Sequence, residues 1–92
     1  MALLDDADID ERLAGGSWRR DGGEIVRDLD FPDFAAAIAF VNKVADSAES
    51  ANHHPDILLH SYNKVRLTLS THSAGGITDS DLAMAATFDG IA

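Results

Sequence analysis

Three of the four histidines in this chain of 92 residues, His53, His54 and His72, stand where regular structure is expected to end. An imidazole can give and take a proton near neutral pH, so these positions suit general acid–base chemistry if the fold joins the two segments that carry them. Spacing alone leaves two other readings open: ordinary loop histidines, or three ligands of a zinc ion with an open fourth position. Adjacent histidines diverge from each other, and the sequence has no His-x-x-x-His pair and no cysteine to strengthen the zinc reading. Glu49 precedes His53 by one helical turn, where its carboxylate could orient an imidazole, or it is simply a solvated residue at a helix end. Trp18 and Tyr62 offer flat walls for an aromatic ligand, although strand aromatics more often serve packing. His60 lies inside a strand pattern and reads as an exposed or edge residue. Gly75-Gly76 is turn chemistry, because no lysine or longer glycine pattern accompanies it.

The elements that must position these residues follow from periodicity and punctuation. Asp5 to Leu13 reads as a short helix with an acidic first turn, stopped by Ala14-Gly15-Gly16. Ser17 to Arg20 and Glu24 to Phe31 flank Asp21-Gly22-Gly23 and predict a β-hairpin. In the second arm Ile25, Leu29 and Phe31 share one side, and Asp28 and Asp30 the other. Pro32 suits the first turn of a long helix, along which Phe34, Ala37, Ile38, Val41, Val44, Ala45 and Ala48 recur at spacings of three and four. That helix should end near Ser50, since Pro55 disfavours helical angles at His54. Ile57 to Tyr62 and Val65 to Thr71 predict two more strands, joined near Asn63-Lys64 by a turn that lacks glycine. Alternation along the second places Arg66, Thr68, Ser70 and His72 on its polar side. Thr78 to Asp81 resembles a capping box opening a final helix from Asp81 to about Phe88. The sum is a single α+β domain over residues 1–92: one four-stranded antiparallel sheet covered by about three helices, in the order α-β-β-α-β-β-α.

Composition limits what such a domain can do. Seven Lys and Arg against sixteen Asp and Glu leave a net charge of −9, a field that repels phosphate backbones and anionic membranes. No stretch approaches the roughly 20 apolar residues that cross a bilayer. The acidic segment Met1 to Glu11 does not resemble a signal peptide. The expectation is a soluble cytoplasmic protein that binds neither nucleic acid nor membrane. So short a chain without a disulfide is expected to gain buried area by self-association.

Three ordered blocks then carry a family likeness. Glu49-Ser50-Ala51-Asn52-His53-His54-Pro55, Tyr62-Asn63-Lys64-Val65 and Leu69-Ser70-Thr71-His72-Ser73-Ala74-Gly75-Gly76-Ile77-Thr78-Asp79 together resemble the pterin-4a-carbinolamine dehydratases. The likeness is tight over the C-terminal half and looser before it, through Trp18, the step from Phe31 to Phe34 and the long helix. It implies dehydration of a 4a-hydroxytetrahydropterin to the quinonoid dihydropterin, with no cofactor and no metal. It further implies a functional link to an aromatic amino-acid hydroxylase and a homodimer or homotetramer. By the same resemblance His53, His54 and His72 correspond to the three active-site histidines, with Glu49 as the accompanying carboxylate. His53 and His54 are assigned as acid and base, and His72 as the residue that positions the pterin. Trp18, Pro55 and Thr71 are the implied substrate-binding residues. Asn52, Ile57 and Ser73 depart from the animal pattern, and the stretch from Pro55 to Tyr62 is one residue longer; these differences resemble prokaryotic members. Two alternatives stand beside this reading: a non-catalytic oligomeric protein-binding module on the same fold, and a pterin enzyme of another pathway.

Overall fold

The structure, a computed structural model, describes residues 2–92. Asp5 precedes helix α1 (Asp6–Leu13), whose early turn carries Asp6 and Asp8 and whose last turn carries Arg12, charges that match the helix dipole. Its one buried residue, Ile9, anchors it to the core. Strands β1 (Arg19–Asp21) and β2 (Glu24–Asp30) form the first hairpin. Asp21 pairs with Glu24, so the turn is Gly22-Gly23 alone, and Gly22 holds the positive φ of 61° that a side chain would resist.

Helix α2 (Phe34–Ala51) starts two residues later than Pro32 suggested. Asp33 is its N-cap, with a side-chain oxygen accepting from the Ala36 N–H at 2.8 Å, and Pro32 lies outside the helix. The stripe buried against the sheet is Ala37, Phe40, Val44 and Ala48. Phe34, Ile38 and Ala45, assigned to that stripe from spacing, are exposed instead, because this helix is apolar on more than one side. Strands β3 (Asp56–His60) and β4 (Lys64–Leu69) make the second hairpin. Its turn is Ser61-Tyr62-Asn63, and Ser61 and Tyr62 take φ of 50° and 57°, so two non-glycine residues supply the left-handed backbone. Strand β4 ends at Leu69; Thr71 makes only an isolated bridge to Gly76, and His72–Ala74 form a short 3₁₀ turn. Helix α3 (Asp79–Ile91) is longer at both ends than its sequence signals indicated.

The order α-β-β-α-β-β-α and the four-stranded antiparallel sheet match the expected architecture, with strands arranged β1-β2-β4-β3. Ile25, Val65, Leu67 and Leu69 meet Phe40 and Val44 of α2 and Met84 and Phe88 of α3 in one core. The other face of the sheet carries charge: Asp28 bridges Arg19 and Arg66, and Lys64 reaches Asp30. The segment before β3 and the segment after β4 meet at one end of this face, where His54 and His72 lie. Among the described residues, no helix is long and apolar enough to cross a membrane.

Candidate active site

Helix α2 delivers the paired histidines through a left-handed stop. Asn52 adopts φ 51° and ψ 41°, and its N–H bonds back to the carbonyls of Ala48 and Glu49 while the His53 N–H returns to Ala48 at 3.1 Å. This reversal changes which imidazole Glu49 meets. Its carboxylate lies 2.8 Å from Nε2 of His54, five residues on, rather than against His53. Both partners are exposed, so the pair orients the ring more than it stabilises the fold.

His53 turns the other way. Its Nε2 lies 2.6 Å from Oδ1 of Asp81 on α3, a fully buried carboxylate. The second oxygen of Asp81 accepts from the Thr71 hydroxyl at 2.8 Å and from the Thr78 N–H at 2.9 Å. Thr71 also shares a 2.8 Å hydrogen bond with the Thr78 hydroxyl. One residue thus closes the capping box of α3 and anchors an imidazole, satisfying the buried polar atoms around it. Asp81 was legible from sequence only as a cap. Its separation of 28 residues from His53 left no periodic signal for the second role.

His54 and His72 line one shallow surface hollow with Glu24, Asp56, Thr68 and Ser70. Alternation builds it: Asp56 and Thr68 are register partners on the charged face, and His54 and His72 lie two residues beyond Asp56 and Ser70 respectively. His53 does not line this hollow and stands behind it on Asp81. Thr71 is likewise turned inward, and Pro55 is half-buried between His54 and Asp56. Trp18 lines a different hollow beside Arg12, Leu82 and Ala85, where its indole N–H donates to Asp89 at 2.8 Å. Asp89 also holds Arg27, so Trp18 and β2 are tied to α3. Tyr62, 65% exposed, sits in the β3–β4 turn, the far end of that hairpin from His54. Among the described residues no group of three or more His, Asp or Glu is arranged to hold a metal ion.

What this arrangement offers is two solvent-reached imidazoles facing one polar hollow, with a third imidazole held from behind by a buried carboxylate, on an α+β sandwich of one sheet and three helices. The model of the pterin 4 alpha carbinolamine dehydratase family matches residues 2–91. The chain belongs to that family, which is a family of hydro-lyases. A relative from Acidobacterium capsulatum, named for pterin-4-alpha-carbinolamine dehydratase, is 50% identical over 92 residues, covering 99% of each chain. A crystal structure described as a transcriptional coactivator/pterin dehydratase from Brucella melitensis superposes with a TM-score of 0.91 at 34% identity, covering 99% of each chain. A pterin dehydratase-like protein described as a RuBisCO assembly factor in the alpha-carboxysome superposes with a TM-score of 0.70 at 26% identity, over 84% of this chain and 90% of that one.

Proposed function

We propose that the chain dehydrates a 4a-hydroxytetrahydropterin to the quinonoid dihydropterin and water by histidine acid–base catalysis. The observation that carries this reading is the pair His54 and His72 facing one hollow in a member of a dehydratase family. The reaction breaks the C4a–O bond and removes the proton on N5 as the C4a=N5 double bond forms. A protonated imidazole gives its proton to the departing hydroxyl, and a neutral one takes the N5 proton, so the ring pair ends with its total proton count unchanged. The sequence assigned acid and base to His53 and His54; the hollow favours His54 and His72 for contact with the reacting atoms. His53 then acts as a positioning residue, fixed through Nε2 by Asp81 and setting the backbone from which His54 projects.

Pro55 borders His54 and helps shape the rim, Thr71 holds Asp81 in place for His53, and Glu49 orients the His54 ring. The chemistry asks for no metal or bound cofactor. The substrate is a small reduced pterin, regenerated in this way after an aromatic amino-acid hydroxylase has used it, and the reaction takes place in the cytoplasm. The working unit is a homodimer or homotetramer, for which exposed Phe34 and Ile38 on α2 and Leu58 on edge strand β3 supply apolar surface. Stopped-flow absorbance on a 4a-hydroxytetrahydropterin tests the proposal. His54→Ala and His72→Ala should each slow the enzyme-dependent rate about 10²-fold; wild-type rates in both would remove the assigned roles.

A second reading has one observation in its favour, the similarity to a protein described as a RuBisCO assembly factor. In that case the fold serves as a protein-binding module, and partner binding survives replacement of all three histidines.

A further inference from the structure

We propose that Glu24 is a specificity-determining residue, its carboxylate reading the amino-bearing edge of the substrate's pyrimidine ring; this rests on the dehydratase reading of the same hollow. Elsewhere on the charged face of the sheet, Asp28 is matched by Arg19 and Arg66 and Asp30 by Lys64, while Asp21, opposite Glu24 on β1, makes no ion pair among the described residues. Glu24 and Asp56 line the hollow, and their side-chain carboxylates have no ion-pair or hydrogen-bond partner among the described residues. The hollow therefore presents unused anionic acceptors, and a ligand with adjacent N–H donors on one edge answers them.

A 2-amino-4-oxopyrimidine ring has such an edge, formed by N3–H and the 2-amino group, and a carboxylate can accept from both at once. The reacting C4a and N5 lie on the opposite side of the bicycle. The reader of the amino edge must therefore stand across the hollow from the imidazole that works on N5. Asp56 opens β3 only two residues after His54, too near that ring to take the far edge. Glu24 comes from β2, level with Ser70 because the adjacent Ile25 pairs with Leu69. Strand β4 lies between β2 and β3, so Glu24 faces His54 across two strand spacings, roughly 10 Å. That span suits a bicyclic ring lying over Thr68 and Ser70.

The test compares 7,8-dihydropterin with 7,8-dihydrolumazine, in which an oxo group replaces the 2-amino group, by calorimetry on wild-type protein and on Glu24→Gln. Wild type should favour the pterin by about tenfold or more, the scale of one charge-assisted hydrogen bond. In Glu24→Gln the pterin affinity should fall by a similar factor and the preference should shrink, because the amide can donate to the 2-oxo group. The KM for a 4a-hydroxytetrahydropterin should rise in step while kcat stays within about threefold, as for loss of an interaction equal in ground and transition states. Wild-type dehydration with unchanged affinity, KM and preference in Glu24→Gln would overturn the assignment of Glu24 alone. A wild-type protein that neither binds nor dehydrates a pterin would overturn it together with the dehydratase reading.

Discussion

Replacing Asp81 by Asn should cost catalysis through His53. As a carboxylate, Asp81 only accepts, so the 2.6 Å contact requires His53 to carry a proton on Nε2. The other oxygen receives two donors, the Thr71 hydroxyl and the Thr78 N–H. An amide has a single oxygen, which those two donors should retain, leaving its NH₂ against His53. Nε2 must then accept, and the ring proton moves to Nδ1. The exchange removes one charge-assisted hydrogen bond, worth about 1.5–3 kcal/mol, which corresponds to a rate loss of roughly 10- to 100-fold if it is felt in full at the transition state. Stopped-flow rates on Asp81→Asn, His53→Ala and the double variant read this directly. The Asn change should slow the wild type by that factor and add less than about threefold in the His53→Ala background, because groups acting as a unit are non-additive. Nitrogen NMR of the His53 ring should report the change of tautomer. An equal slowing in both backgrounds, or no slowing in either, would refute the linkage.

Asp28 predicts a pH effect on stability away from the active site. The hydrogen bond from Arg66 outweighs the opposing effect of burial and, with a lesser contribution from Arg19, holds its carboxyl below the ordinary 3.8. A carboxylate depressed in the folded state contributes stability above its unfolded value and loses it as pH falls through the folded one. The contribution should thus be present at neutral pH and fade below about pH 4. The residues are nearly half exposed, so Asp28→Asn should lower neutral-pH stability by only about 1 kcal/mol or less, with the two unfolding curves converging in acid. Asp33→Ala should cost about 1 kcal/mol in denaturant unfolding by removing the cap of α2, without changing the dehydration rate.

The fold was readable because its signals are local. Alternation in β2 and β4, the glycine pair before Glu24, and the spacing of Ala37, Val44 and Ala48 each specify an element within a few residues. Failures arose where a local pattern had two solutions. Helix α2 is apolar around much of its circumference, so spacing chose Phe34 and Ile38 for the core and missed Phe40. The β3–β4 turn places Ser61 and Tyr62 at positive φ, which their residue types do not announce. At the site, the meeting of His54 with His72 followed from strand alternation once β3 and β4 were paired. The partners of the histidines did not. Glu49 faces His54 because Asn52 reverses the chain, and Asp81 serves His53 in addition to the capping role that already accounted for it.

Catalysis by these two imidazoles requires the reduced pterin to lie between His54 and His72. A crystal structure with 7,8-dihydropterin bound decides this placement. The ring should lie over Thr68 and Ser70, with N5 within hydrogen-bonding distance of one of those imidazoles and the amino edge toward Glu24. Density for the ring in the hollow beside Trp18 and Asp89, with His54 and His72 untouched, would contradict it.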